Sequence, residues 1–104
     1  MEQIPTITPE ELQKKLEAGE KLELVDVRED EEVVFGMVPG ATHIRMGDIP
    51  TKLDYFDKNK EYIFICRSSG RSGNVCNYLH DQGYKVRNMV GGMLAWTGET
   101  EYTE

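Results

Sequence analysis

The stretch that most narrows the fold is Tyr62-Ile63-Phe64-Ile65-Cys66-Arg67-Ser68-Ser69-Gly70-Arg71-Ser72-Gly73. An apolar run with strand character ends on a cysteine, a loop of small residues carries two arginines, and a helical pattern follows. A strand that passes into a helix within a few residues belongs to a layered α/β arrangement.

The rest of the chain repeats that alternation. Thr8 is placed to cap a helix, with Pro9 in its first position and Glu11 spaced to close a capping box. Leu12 and Leu16 share a face of this helix, and Gly19 ends it. Residues 22–28 read as a strand too apolar in its middle for a solvent-facing edge. Residues 29–35 suit a short helix, and Gly36-Met37-Val38-Pro39-Gly40-Ala41 is turn chemistry. A short strand follows at 42–45. Asp48 is placed to cap a helix carrying Ile49, Leu53 and Phe56, with Pro50 early inside it. After the cysteine loop, residues 72–83 form a helix closed by Gly83, with Val75, Cys76 and Leu79 on its buried face. Residues 84–90 give another strand, Gly91-Gly92 a turn into a short terminal helix, and the acidic tail from 98 to 104 is expected to fray. The order predicts an open, largely parallel α/β sheet in a single domain spanning 1–104.

Charge bounds the function. The net charge of −7 argues against a nucleic-acid or anionic-membrane binder. No apolar run approaches the ~20 residues that cross a bilayer. The N-terminus lacks the basic flank and apolar core of a signal peptide, so a cytoplasmic location is expected. Between Cys66 and His80 there is no carboxylate, while Arg67 and Arg71 sit in the loop. A mostly acidic chain thus keeps one locally positive segment beside a thiol. Two cysteines ten residues apart make neither a disulfide framework nor, with His43 and His80, a zinc pattern, so no metal is expected.

A cysteine thiol is lowered from its ordinary pKa by cations or by a helix N-terminus, and Cys66 stands to have both. Small residues at Ser68, Ser69, Gly70 and Gly73 let backbone N–H groups approach an anion closely. A lone cysteine at a strand end is commonly a small buried hydrophobe. The arginines, the serines and glycines and the missing acids favour a nucleophile instead. Cys76, on the apolar helix face, reads as core. Asp26 and Arg28 lie at a strand's C-terminal end, where α/β sheets place their crevices. They either tie down the next loop or shape the site.

These segments resemble the single-domain rhodaneses, sulfurtransferases of the thiosulfate:cyanide type. The resemblance runs from about residue 22 to residue 96 and rests on segments in order: Asp26-Val27-Arg28, Glu32 with Gly36-Met37-Val38-Pro39-Gly40-Ala41, Cys66 to Ser72, Gly83-Tyr84, and Gly91-Gly92 with Trp96. It implies a doubly wound, mostly parallel five-stranded sheet with helices on both faces. It makes Cys66 the catalytic cysteine and Arg71 the basic residue closing its loop, with Arg67, Ser68, Ser69, Gly70 and Ser72 cradling the sulfur. The implied chemistry moves a sulfane sulfur from thiosulfate or another persulfide donor to cyanide, a thiol or a sulfur-accepting protein. The carrier is a covalent cysteine persulfide, with no separate cofactor. One departure is Met37, where relatives usually have His. Phosphatases and arsenate reductases of this fold carry Cys-x5-Arg, whereas Cys66 and Arg71 enclose four residues, the sulfurtransferase length. A carrier that delivers sulfur to one protein partner without turnover is the other reading.

Overall fold

The computed structural model describes residues 4–102. Five strands form one sheet in the order β1-β5-β4-β2-β3: β1 (Thr6–Ile7), β2 (Glu23–Asp26), β3 (Thr42–His43), β4 (Glu61–Ile65) and β5 (Lys85–Met89). All four neighbouring pairs run parallel. The helices are α1 (Pro9–Glu17), α2 (Asp30–Val33), α3 (Gly70–His80) and α4 (Gly92–Ala95).

Side-chain alternation along β4 builds two cores. Tyr62, Phe64 and Cys66 point into one, with Val75, Cys76 and Leu79 of α3. Ile63 and Ile65 point into the other, with Leu12 of α1 and Met89, and Met93 and Trp96 pack at its margin. A strand buried on both faces reads as a continuous apolar run, and helices on both faces follow from it.

The helix ends form as the residues dictate. Glu11 N–H donates to Thr8 Oγ1 at 3.1 Å and Thr8 N–H to Glu11 Oε1 at 3.0 Å, which is the capping box. Three expectations change. The sheet's fifth strand, β1, escaped the sequence reading, because two residues before a proline carry no period; its pairing is set by backbone bonds such as Asn88 N–H to Pro5 O, 3.0 Å. Asp48 caps no α-helix. Residues Met46–Thr51 and Leu53–Tyr55 form two 3₁₀ turns with Pro50 inside the first, and Asp48 instead accepts from Arg45 Nε at 2.9 Å. Proline removes a helix donor and crowds the preceding turn, which favours such short pieces.

The tail also differs from the frayed end expected of it, as far as Tyr102. Met37 and Glu101 exchange N–H···O bonds of 2.8 Å each, and Gly40 N–H donates to Glu101 Oε1 at 2.7 Å. Residues 103 and 104 lie outside the described region.

The topology places the site. From β2 the chain leaves toward β3, and from β4 it leaves toward β5 on the opposite side. Neighbouring strands whose exits diverge open a crevice at their C-terminal ends. Cys66 follows β4 there, and Val27 N–H, just past β2, donates to Ile65 O at 2.9 Å.

Candidate active site

Cys66 is 1% exposed, and its sulfur lies against the start of α3. The loop turns on Ser69, whose φ of 88° makes it the one non-glycine residue of positive φ among the described residues. A side chain in that region costs about 1–2 kcal/mol. The turn aims Ser69 N–H at Cys66 Sγ, 3.0 Å away, while Ser69 O accepts from Gly73 N–H at 2.9 Å to begin the helix.

Ser72, fully buried, sits one helical turn on. Its hydroxyl oxygen is 3.2 Å from Cys66 Sγ, 2.5 Å from Asn88 Oδ1 and 3.3 Å from Ser69 O. One proton faces three acceptors. The Asn88 amide is oriented by its Nδ2, which donates to Ser69 O at 3.2 Å. Neutral thiol and thiolate therefore differ in where that proton points: toward Asn88 in the first, toward sulfur in the second.

Burial pushes the Cys66 thiol up, but the Ser72 hydroxyl and the backbone N–H groups of Ser72, Ser68 and Ser69 outweigh it, and its pKa is lowered. Cys76, with burial and the neighbouring Cys66 charge both acting against ionisation, is pushed up to about 12. The two cysteines are chemically opposite, and both are free.

The arginines do something the loop sequence did not suggest. Arg71 turns to α2, where its Nη1 and Nη2 donate to Glu32 Oε1 and Oε2 at 2.6 and 2.7 Å. Arg71's hydrogen bonds, set against some burial, hold the Glu32 carboxyl down at about 2. Arg67 is exposed and has no carboxylate in ion-pair range among the described residues. Ser68 and Gly70 are exposed on the loop, and Gly70 faces open space.

Asp26 and Arg28 form a buried fork: Arg28 Nε lies 2.9 and 3.0 Å from the two carboxylate oxygens and Nη2 2.7 Å from Oδ2. The same guanidinium donates to Gly36 O at 2.8 Å and to Glu32 O at 3.4 Å. The pair therefore ties down the turn after β2 through the backbone carbonyls of Gly36 and Glu32. These bonds show the first of the two readings left open for the pair, the tying down of the next loop.

From the other side, α4 closes on the loop. Met93 N–H donates to Cys66 O at 2.8 Å and Leu94 N–H to Arg67 O at 3.0 Å. Gly92, with φ of 57°, leaves the space: a Cβ there would overlap the carbonyls of Cys66 and Arg67. Asn88 and the roles of Glu32 and Gly92 at the loop were beyond the sequence reading. Only the polar Asn88 in an otherwise strand-like segment hinted at one of them.

Fold and site together define an α/β domain with a buried cysteine of lowered pKa at the switch point of a parallel sheet. The chain belongs to the rhodanese family: residues 8–99 match the family described as Rhodanese-like domain. A Bacillus subtilis protein named "Putative sulfurtransferase YtwF" is 60% identical over 99 residues, covering 95% of this chain and 96% of that one. A second B. subtilis protein, "Putative sulfur carrier protein YrkF", is 38% identical over 94% of this chain but only 54% of its own length. The crystal structure of a rhodanese-like domain protein from Staphylococcus aureus superposes with a TM-score of 0.91 at 39% identity, covering 97% of this chain and all of that one.

Proposed function

We propose that this protein transfers sulfane sulfur through a persulfide on Cys66. Sulfur transfer in general is what the family membership supports. The observation that carries the finer reading is the pair of donors, Ser69 N–H at 3.0 Å and Ser72 Oγ at 3.2 Å, converging on a buried sulfur.

The Cys66 thiolate attacks the outer sulfur of a donor. With thiosulfate the S–S bond breaks, sulfite leaves with the bonding pair, and Cys66–S–S⁻ forms. With an organic persulfide the leaving group is the thiolate. An acceptor nucleophile, cyanide or a thiolate, then attacks the terminal sulfur and returns Cys66 as thiolate. The loop N–H groups and Ser72 stabilise the charge at both stages in the manner of an oxyanion hole. Arg67 brings positive charge near the loop, while the charge of Arg71 is paired with Glu32. The two unpaired cysteines suit a reducing compartment such as the cytoplasm.

Intact-protein mass spectrometry after donor treatment tests this reading. One added sulfur mapping to Cys66 is expected; a sulfur on Cys76, or none, overturns it. The carrier reading is favoured by the sulfur carrier name of one relative. It predicts one equivalent passed to a protein acceptor and no sustained turnover with cyanide. Sustained thiocyanate production makes the protein an enzyme.

A further inference from the structure

Arg67 follows Cys66 in the loop, Arg71 stands at the start of α3 and Arg28 lines the groove beside them, and two of these three arginines bring their own carboxylate. Arg28 is forked onto Asp26 and Arg71 onto Glu32, each with N–O distances down to 2.7 Å or less. Arg67 is the one of the three without a carboxylate in ion-pair range among the described residues, and Glu31 lines the same groove. Two of the three arginine charges are therefore already paired. The paired acids, Asp26 of β2 and Glu32 of α2, lie far from the loop in sequence, so the carboxylate-free segment around Cys66 overstates the positive charge there.

The wall of the groove beside the loop is part charged and part apolar, four of its seven lining residues being Arg or Glu. A groove of about 340 Å³ runs between α2 and α4, walled by Phe35, Met93 and Leu94 beside Arg67. Phe35 is 80% exposed and Leu94 67%, large values for side chains that a monomer has no structural need to expose. Hydrogen bonds from Met93 and Leu94 to the carbonyls of Cys66 and Arg67 fix this wall against the loop.

We infer that Glu32 is a specificity-determining residue: by engaging both Nη atoms of Arg71 it keeps that charge from a small inorganic dianion, so that the groove favours a persulfide or thiol with an uncharged organic body. This rests on the Cys66 persulfide reading and names the class of donor the site takes. Glu32 acts through Arg71 and is a positioning residue. Both donor classes undergo the same exchange at Cys66, thiosulfate releasing sulfite and an organic persulfide releasing its thiolate. What differs is the charge arriving at the mouth: two negative charges for thiosulfate, one for an organic persulfide anion without other ionised groups.

The test compares single-turnover loading of Cys66 from thiosulfate and from the persulfide of N-acetylcysteine methyl ester, followed by mass spectrometry. In Glu32→Gln the side chain can still accept from Arg71 and from Glu29 N–H, a bond of 3.0 Å in the native protein, but the charge is gone. Thiosulfate loading should rise about tenfold, the ester persulfide should move by less than about threefold, and added salt should erode the thiosulfate gain. Glu32→Asp, which keeps the charge, should retain the wild-type preference.

Four results overturn the inference: unchanged or slower thiosulfate loading in Glu32→Gln, equal shifts for both donors, a gain indifferent to salt, or Glu32→Asp behaving as Glu32→Gln. Absence of sulfur on Cys66 of the wild type with either donor is a different failure, because it removes the persulfide reading itself.

Discussion

Replacing Ser72 with alanine isolates what activates the cysteine. Its hydroxyl is the one side-chain O–H within reach of Cys66 Sγ among the described residues, at 3.2 Å, and both groups are buried. A hydrogen bond to a charged group is worth roughly 1.5–3 kcal/mol, which at 1.36 kcal/mol per unit corresponds to about 1–2 pKa units. The hydroxyl must leave Asn88 Oδ1, 2.5 Å away, to serve the thiolate, so the lower end applies: the Cys66 pKa is expected to rise, with about a tenfold loss of thiolate below the inflection. The backbone donors of Ser68, Ser69 and residue 72 remain. The sign follows: deprotonation is needed for attack, so the rate–pH curve keeps its plateau and its inflection moves to higher pH. Below the inflection, alkylation of Cys66 slows about tenfold per unit.

The assay is iodoacetamide labelling across pH, read by peptide mass spectrometry, with Cys76 as an internal reference that stays unlabelled. Asn88→Ala provides the opposite perturbation. It frees the Ser72 proton for sulfur, and the inflection should fall or stay, never rise. An inflection unmoved in Ser72→Ala would refute the reasoning, since the hydroxyl would then serve Asn88 alone.

Further expectations concern the scaffold. Asp26→Ala strands a buried guanidinium and should cost about 3–5 kcal/mol in denaturant unfolding. Gly92→Ala forces α4 off the carbonyls of Cys66 and Arg67; a loss of about 1–3 kcal/mol is expected, with slower sulfur loading, and the two should appear together. The Glu32 carboxyl is held at about 2, below its ordinary range. Its ion pair therefore contributes stability that is whole above that range and lost as pH falls toward about 2, where the melting temperatures of wild type and Glu32→Gln should converge. Trp96 is half-buried, with Nε1 donating to Glu99 O at 2.9 Å. Trp96→Ala should accordingly cost about 1–2 kcal/mol in thermal melting, less than the 3–5 kcal/mol of a fully buried ring.

Strand 61–65, helix 70–80 and the loop between them were legible because each signal is local. Apolar alternation, small residues and a glycine stop lie within one stretch of chain. The buried face of α3 was equally legible, since Val75, Cys76 and Leu79 obey its period and are all buried. Strand β1 was not, because two residues have no period and their pairing depends on a strand some eighty positions away. The electrostatics of the loop failed to read for the same reason. Arg71 and Glu32 are 39 positions apart, and nothing in the loop's own composition announces that its closing cation is already neutralised. The activation of Cys66 was anticipated in direction but credited partly to arginines, where N–H and O–H donors carry it.

The burial of Cys66 has a consequence for how the protein would be discharged. At 1% exposure the residue offers almost nothing to a large reagent. An S–S bond is about 2 Å long, so a persulfide on Cys66 would carry its reactive atom about that far beyond Sγ. The empty protein would then admit only the slim end of a donor, while a loaded one would hold its sulfur as the outermost atom of the side chain. Access would be written into occupancy: a bulky electrophile should capture the loaded form readily and the empty form slowly, and the sulfur itself would be the part of the protein that reaches its acceptor.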